Sequence, residues 1–356
     1  MESSNQYNLF QSNDENSYNH LINNINLYSK KEVVGKLFNK LRLEGFPHYK
    51  ITDEEKHKHF EKLKNYNHMF LYEDKTIKQS MHSLRLCWSY FPHFWSVRCG
   101  NSKYTAYDVF YDDTLLKKTL SKTYDYCIKY ENNRITKNRI RQSLKVYNGV
   151  QCVSNFRPSA SKVIYELFCK NGVVWDMSSG WGGRLIGALA SKNVSKYIGT
   201  EPSTKTYNGL MKIKNDFKYL NKKIEIHCKG SEDFIPKKNS LDLCFTSPPY
   251  FDTEKYSNEP TQSYIKYSNI KDWINGFLYK TLQNCNYGLK NNGYLVLNIA
   301  NTKSAYNIEE GLFKIIQKMN FKYIETLKLY LSSISGKGAK YEPIYIFKKE
   351  GTLDEM

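Results

Sequence analysis

The residues best suited to chemistry form a short loop, Thr246-Ser247-Pro248-Pro249-Tyr250, directly after the apolar run 241–245. Proline lacks an N–H group and fixes φ near −65°, so two prolines end the hydrogen-bond ladder of a strand and stiffen the loop that follows. Such a loop presents acceptors, Ser247 Oγ and the Pro248 carbonyl, in preference to donors. The segment therefore predicts a site at a strand end that accepts N–H groups. The alternative is an ordinary surface turn.

A glycine-rich turn lies upstream, between an apolar strand at 173–175 and an apolar helix at 185–190. Glycines allow the backbone to approach a ligand closely, and the start of a helix offers unpaired N–H groups. The turn therefore predicts a cofactor cradle, which a dinucleotide would also fit. The cradle residues are Asp176, Ser178, Gly180 and Gly182.

Acidic residues follow the next two predicted strands. Glu201 ends the strand 196–200, where a carboxylate can accept hydrogen bonds from both hydroxyls of a ribose. A third strand, 224–228, leads into a loop that carries Glu232 and Asp233. Ligands of parallel sheets bind beyond the carboxyl ends of the strands. We therefore expect these carboxylates, the glycine turn and the Pro-Pro loop to share one edge of a sheet.

The pattern Asp-x-Ser-x-Gly-x-Gly-Gly, followed by Thr-Ser-Pro-Pro-Tyr, resembles the S-adenosylmethionine-dependent DNA amino-methyltransferases. The resemblance covers residues 150–350 and keeps the pieces in the order of that family. It implies an α/β fold, a Rossmann-like class I methyltransferase sheet with helices on both faces. It also implies S-adenosylmethionine as cofactor and DNA as partner, with a role in restriction-modification. The Ser in the loop is similar to the N4-cytosine branch.

The resemblance also implies how the Pro-Pro loop would act on a base. Ser247 Oγ and the Pro248 carbonyl would take both hydrogens of an exocyclic amine, with Pro249 stiffening the loop. Tyr250 would stack on the base, which must first leave the duplex. No cysteine nucleophile is needed for this chemistry.

Further residues are assigned to the cofactor by the same resemblance. Phe156 and Arg157 would close over its methionine moiety, and Asp233, with Glu232 as the alternative, would touch the adenine ring. The complete cofactor-binding set is Phe156, Arg157, Asp176, Ser178, Gly180, Gly182, Glu201, Asp233 and Thr246.

Strands that alternate with helical stretches from residue 150 onward favour a parallel sheet with helices on both faces. Residues 1–25 are polar and Asn-rich, which is typical of disorder. We expect a smaller, mainly helical region at 26–146 and the methyltransferase domain at 147–350. The catalytic part has no room for a recognition insertion, so the region 26–146 is the candidate for DNA recognition.

The stretch 117–145 is the most cationic part of that region, and it predicts phosphate contacts. A solvated helix face is the alternative. An aromatic-rich piece, 84–95, could stack on nucleic acid or form the core of a small domain. The cations proposed to contact phosphates are Arg134, Lys137, Arg139 and Arg141.

Composition limits the remaining choices. The net charge of +18 suits a polyanionic partner, and 8 cysteines without a signal sequence suggest a cytosol-like compartment. No apolar run is long enough for a membrane span. His82, Cys87, His93 and Cys99 lack a tight Cys-x-x-Cys pair, so we expect no metal site. Only 8 of the 53 basic residues are Arg, which indicates an AT-rich genome such as that of a virus or phage.

Several functions stay open from the sequence. N4 of cytosine is the favoured target and N6 of adenine is the alternative. A methyltransferase acting on RNA or on a protein glutamine would carry Asp or Asn at the position of Ser247. A nucleic-acid-binding subunit without catalysis would not need the complete set of site residues. The sequence does not indicate the oligomeric state.

Overall fold

The computed structural model describes residues 28–302, 306–334 and 338–351, and the expectation for residues 1–25 lies outside them. The helices are α1 (Lys30–Glu44), α2 (Asp53–Asn65), α3 (Leu84–Ser89), α4 (Ala106–Tyr111), α5 (Asp113–Tyr130), α6 (Lys137–Val146), α7 (Pro158–Phe168), α8 (Gly183–Ala190), α9 (Thr204–Asp216), α10 (Ser263–Lys266), α11 (Ile270–Trp273), α12 (Tyr279–Gly288) and α13 (Ile308–Ile316). The strands are β1 (Tyr72–Glu73), β2 (Thr76–Ile77), β3 (Arg98–Cys99), β4 (Gly172–Asp176), β5 (Val194–Thr200), β6 (Lys223–His227), β7 (Leu241–Thr246), β8 (Glu254–Lys255), β9 (Leu289–Asn298), β10 (Phe321–Ile334) and β11 (Gly338–Lys349).

The chain forms two compact units that interleave along the sequence. Among the described residues, one unit comprises those from 28 to His48 together with His93–Val153, and the other comprises Tyr49–Pro92 and those from Ser154 onward. This division differs from the single boundary expected near residue 147. The physical reason is that α2 belongs to the second unit, because its Phe60 packs against Phe217 of that unit, with ring centroids 4.6 Å apart.

The first unit is mainly helical, as expected. Its first helix, α1, begins with a capping box in which Ser29 and Glu32 bond each other's backbone N–H groups. Its core contains the ring of Phe46, whose centroid lies 5.3 Å from that of Trp95 and 5.2 Å from that of Phe110. The C-terminal part of the aromatic-rich piece therefore serves as core in this unit.

The second unit is built on a nine-stranded sheet in the order β1-β2-β10-β11-β9-β7-β4-β5-β6. The pairs β4–β5, β5–β6, β4–β7 and β7–β9 are parallel. Strand β11 runs antiparallel to both β9 and β10. A buried apolar run such as that of β7 is typical of a strand covered on both faces.

The strand order reverses at β4, because β5 and β6 lie on one side of it and β7 and β9 on the other. Right-handed crossovers in opposite directions place their helices on opposite faces of the sheet. The predicted α/β fold, a Rossmann-like sheet with helices on both faces, is therefore confirmed. The reversal also creates a crevice between the ends of β4 and β7, where such sheets bind ligands.

Two further properties concern the described residues. None of their helices is long and apolar enough to cross a membrane. No group of three or more His, Cys, Asp or Glu side chains among them could hold a metal ion. His82, one of the residues considered for a metal, instead lies with its Nδ1 3.3 Å from His68 Nε2.

Candidate active site

The glycine turn lies between the end of β4 and the start of α8. Gly180 and Gly182 have φ values of 51° and 73°, a left-handed conformation that glycine adopts without strain. A Cβ on Gly183 would lie 1.8 Å from the carbonyl oxygen of Phe156, so the two backbone segments touch there. The turn therefore depends on glycine both for its conformation and for this close approach.

Asp176 lies at the end of β4 and is completely buried. Its Oδ2 accepts hydrogen bonds from Arg184 Nε at 2.9 Å and from the Tyr197 hydroxyl at 2.7 Å. Its Oδ1 accepts from Thr246 Oγ1 at 3.0 Å and from the Ser178 N–H at 3.3 Å. The carboxylate thus joins the glycine turn to the Pro-Pro loop. This network makes Asp176 and Thr246 positioning residues, and direct contact of either side chain with a cofactor stays a prediction.

Glu201 connects the end of β5 to the same turn. Its Oε2 accepts a hydrogen bond from the Gly180 N–H at 3.0 Å, and its Oε1 accepts one from the Ser203 N–H at 2.9 Å. Burial raises the pKa of this carboxyl to about 7, although both backbone bonds act to lower it. The structure therefore brings Glu201 to the glycine turn, as the sequence predicts.

The loop after β6 carries two acidic residues in different environments. The Asp233 side chain is 56% exposed, and its Oδ2 pairs with Lys266 Nζ at 2.6 Å. The Glu232 side chain is completely buried. Its Oε1 also lies 2.6 Å from Lys266 Nζ, whereas its Oε2 has no hydrogen-bond partner. Sequence reasoning favoured Asp233, but Glu232 is the carboxylate that faces inward.

The Pro-Pro loop leaves β7 at the sheet edge, next to the strand that carries Asp176. Pro248 is buried, while Ser247 and Pro249 are half-buried. Tyr250 packs against the hydrophobic core, and its hydroxyl donates to the Asn298 carbonyl at 3.2 Å. Burial raises its pKa, and a hydrogen bond with Ser247 lowers it. Because the ring packs on the core here, the stacking role of Tyr250 stays a prediction.

Two carboxyl groups near this loop were not assigned from the sequence. Glu342 Oε2 accepts a hydrogen bond from Asn298 Nδ2 at 3.4 Å, and Glu254 Oε1 accepts one from the Ser154 N–H at 3.3 Å. Burial raises the pKa of both groups, and the charge of Glu342 raises that of Glu254 further. Their positions come from distant strands, so no local motif indicates them.

Aromatic side chains form a wall beside the glycine turn. The ring centroid of Trp181 lies 6.2 Å from that of Trp88, 5.8 Å from that of Phe91 and 5.9 Å from that of Tyr256. A Cβ on Gly182 would lie 3.1 Å from Phe91 Cε2, so this ring rests on the turn. The aromatic-rich piece signalled a core, but the sequence did not indicate that it would support the glycine turn.

Phe156 and Arg157 immediately precede α7. The Phe156 ring lies 5.3 Å from the Phe245 ring at the end of β7, which places this segment beside the Pro-Pro loop. The Arg157 guanidinium contacts the Met81 sulfur, and burial lowers its pKa. No carboxylate in the described part of the chain forms an ion pair with Arg157. The assignment of both residues to the methionine moiety stays a prediction.

The cations of the stretch 117–145, which lies in the first unit, differ in their exposure and in their ion pairing. Arg141 is buried, and its Nη1 donates to the Pro47 carbonyl at 2.8 Å. Arg139 forms an ion pair with Glu131, and Lys137 Nζ lies 3.5 Å from Glu44 Oε2. Burial excludes Arg141 from contact with phosphates, so its proposed role is corrected. The role of Lys137 and Arg139 in phosphate contacts stays a prediction. Arg134 is exposed, as are Lys118, Lys122 and Lys129.

No known family model matches the chain, and no curated protein sequence matches it. Among solved structures it is similar to an S-adenosylmethionine-dependent O-methyltransferase from Thermotoga maritima, at 12% identity over 56% of this chain and 68% of that one, with a TM-score of 0.37. A putative RNA methyltransferase from Pyrococcus horikoshii has 15% identity over 55% and 84% of the two chains, with a TM-score of 0.37. A tRNA (m1A58) methyltransferase from Aquifex aeolicus has 15% identity over 56% and 72%, also with a TM-score of 0.37. The fold assignment depends on the sheet topology.

Proposed function

We propose that this protein transfers a methyl group from S-adenosylmethionine to an exocyclic amine of a DNA base, most favourably N4 of cytosine. The supporting observation is a hydrogen bond that joins the glycine turn to the Pro-Pro loop at the point where the strand order reverses. There Asp176, at the end of β4, accepts a hydrogen bond from Thr246, which directly precedes Ser247. A glycine cradle and a loop of acceptors are thus held together in the crevice where sheets of this kind bind ligands.

The residues of the edge are suited to this cofactor. The glycine turn and Glu201 lie where a nucleoside could approach the backbone, and Glu232 Oε2 is a buried acceptor without a protein partner. The groups that would hold the cofactor are the 180–182 turn, Glu201 and Glu232, with Arg157 toward the amino-acid carboxylate. When bound, S-adenosylmethionine supplies an electrophilic methyl group.

The chain's own contribution is to orient the amine. The lone pair of an exocyclic amine is delocalised into the ring, so this nitrogen is a poor nucleophile. Ser247 Oγ and the Pro248 carbonyl accept its two hydrogens and favour a tetrahedral nitrogen whose lone pair is free to react. Proline at two successive positions keeps competing N–H donors out of the loop.

The test is to express the chain in bacteria and to identify modified nucleosides in digested DNA and RNA by mass spectrometry. We expect N4-methylcytosine in DNA, and its absence with Ser247→Ala. N6-methyladenine would change the target base, and methylated nucleosides in RNA alone would change the substrate class. No modified nucleoside, together with no binding of S-adenosylmethionine by calorimetry, would refute the proposal.

A further inference from the structure

Methyl transfer to an amine leaves a proton to be removed, and the Pro-Pro loop has no group that can keep it. The transfer forms a bond between the nitrogen and the methyl carbon, while the carbon–sulfur bond breaks and its electron pair goes to sulfur. The nitrogen then carries a positive charge and must lose one hydrogen as a proton. The loop 246–250 contains neither Asp nor Glu, so the proton acceptor has to come from another segment.

Glu342 is a carboxyl group on the part of β11 that extends past the sheet edge. Strand β11 runs antiparallel to β9, and its Ile344 pairs with Asn298, the last residue of β9. Glu342 precedes this pair by two residues, so at about 3.3 Å per residue it lies about 7 Å beyond the edge. Strand β7 is parallel to β9, and Thr246 pairs there with Leu297. Glu342 and the Pro-Pro loop therefore lie beyond the same edge of the sheet.

The Tyr250 side chain connects Ser247 with Glu342. Its hydroxyl donates to the Asn298 carbonyl at 3.2 Å, and Asn298 Nδ2 donates to Glu342 Oε2 at 3.4 Å. Burial and the charge of Glu342 raise the pKa of Tyr250, whereas a hydrogen bond with Ser247 lowers it. Burial raises the pKa of Glu342, whereas hydrogen bonds with Asn298 and Tyr250 lower it. A hydrogen bond lowers the pKa of an acid when the charged form accepts it, so Ser247 donates to Tyr250 and Tyr250 donates to Glu342.

We propose that Glu342 is the proton acceptor of the methyl transfer and that Ser247 and Tyr250 carry the proton to it. The amine gives a proton to Ser247 Oγ, Ser247 gives its own to the Tyr250 oxygen, and Tyr250 gives its own to the Glu342 carboxylate. For this step the Tyr250 hydroxyl hydrogen turns from the Asn298 carbonyl to Glu342. Both hydroxyls end as they began, and only Glu342 gains a proton. Its side chain is half-buried, so the proton can then leave to water.

The groups around Glu342 suit a proton acceptor, and the assignment rests on the proposed function because it takes the amine to be bound at Ser247. Burial raises the pKa of Glu342 toward the range in which general bases work best at neutral pH. Lys340, two residues away on the same face of β11, acts in the opposite direction. Burial and the charge of Glu342 raise the pKa of Glu254, a second carboxyl nearby on β8. Leu329, the cross-strand neighbour of Glu342 in β10, carries no charge.

The test is the pH dependence of methyl transfer to DNA, measured in single turnovers with the full chain saturated with S-adenosylmethionine. Wild-type rates should rise with pH above 4.5, the ordinary pKa of a glutamate, and level off once Glu342 is ionised. Glu342→Gln keeps an oxygen that accepts from Asn298, and it should lower the rate about 100-fold and remove this rise. Its affinities for S-adenosylmethionine and DNA should not change. Glu325→Gln, in a β10 glutamate that pairs with Lys75, is the matched control and should keep the wild-type profile.

A double-mutant cycle tests the path through Tyr250. Tyr250→Phe keeps the ring and removes the hydroxyl, so it should lower the rate as Glu342→Gln does. The two substitutions combined should lose no more than either alone, because each interrupts the same path. Glu342→Asp keeps a carboxylate and should keep a rise of the rate with pH. This variant carries the test if Glu342→Gln does not fold.

Three results would overturn the inference. The first is a wild-type rate in Glu342→Gln at every pH, and the second is an additive loss in the cycle. The third is a rise with pH that persists in Glu342→Gln and disappears in Glu254→Gln, which would assign it to the other carboxyl. In each case the wild type still methylates DNA, so the proposed function survives. A wild type that methylates no base in DNA refutes both.

Discussion

The ends of β4 and β6 lie on the same edge of one sheet. Strand β4 ends at Asp176 and the loop after β6 carries Glu232, and these two buried carboxylates differ in their hydrogen bonds. All the hydrogen bonds of Asp176 go to protein donors, and these bonds hold two loops in place. Glu232 has one oxygen paired with Lys266 and one without a partner. A carboxylate satisfied by the protein positions its surroundings. One that is only half satisfied has an oxygen left for a ligand, which is the role that we propose for Glu232.

The largest effect on stability is expected for Asp176→Asn, because this substitution leaves the buried Arg184 guanidinium without its counter-charge. Breaking one side of a buried ion pair costs about 3–5 kcal/mol, so we expect a loss of that size in the free energy of unfolding. Denaturant titration measures it. The control is Glu310→Gln in the exposed Lys314–Glu310 pair, which should change stability by less than about 0.5 kcal/mol. Equal effects of the two substitutions would contradict a structural role for Asp176.

The second test concerns the pH dependence that Glu201 imposes on stability. Burial raises its pKa from 4.5 to about 7, so the folded protein binds more protons than the unfolded chain between these values. Stability should therefore fall as the pH rises from 4.5 to 7, by about 3 kcal/mol. We expect Glu201→Gln to remove this contribution when free energies of unfolding are compared across that range.

Glu225→Gln, on a half-exposed side chain of β6, is the control for Glu201. It should keep the wild-type slope of stability against pH. If Glu201→Gln and the wild type had the same slope, Glu201 would have to be ionised in the folded protein throughout the range. The carboxylate would then belong with Asp176 among the groups that the protein satisfies completely.

The third test addresses Ser247, whose proposed hydrogen bond becomes most important as the amine turns tetrahedral. Ser247→Ala should lower turnover about 10- to 100-fold, the equivalent of about 1.4–2.7 kcal/mol, and should leave the affinity for S-adenosylmethionine unchanged. Methyl transfer to DNA and calorimetry measure the two quantities. Ser240→Ala, on the turn before β7, is the control and should keep full turnover. A parallel loss of cofactor affinity would place Ser247 in the cofactor site.

The smallest effects of substitution are expected in the first unit. There the comparison is between cations that form ion pairs with the protein and cations that do not. Lys118, Lys122 and Lys129 share one exposed face of α5, and Arg134 follows the helix. None of the four forms an ion pair with a described residue, in contrast to Lys137 and Arg139. We propose these exposed cations as the phosphate contacts.

Removing a cation that contacts a phosphate should reduce the salt slope of log affinity for duplex DNA by about 0.9. We therefore expect Lys118→Ala, Lys129→Ala and Arg134→Ala, combined, to flatten that slope while leaving cofactor affinity unchanged. Fluorescence anisotropy at several salt concentrations measures it. Lys314→Ala, on an exposed and paired lysine of α13, is the control. An unchanged slope would favour a solvated helix face on α5.

Much of the fold could be predicted because its signals are local. Apolar runs with glycine or proline at their ends indicated β4 and β7. The unit boundaries were predicted less well. The apolar face of α2 gives no indication of which unit it packs against, so the placement of Tyr49–Pro92 with the sheet was missed.

The sequence alone determined the pieces of the candidate site. Glycines at 180 and 182 are required by the left-handed turn, and successive prolines after β7 exclude further ladder bonding, so both loops follow from local stereochemistry. Tertiary structure decided how each side chain is used. Arg184 neutralises Asp176, Phe91 supports the glycine turn, and Glu232 rather than Asp233 faces inward. These outcomes depend on which segments of the chain contact each other at the sheet edge. The burial and the hydrogen-bond partners of a side chain result from these tertiary contacts, so no local sequence pattern predicts them.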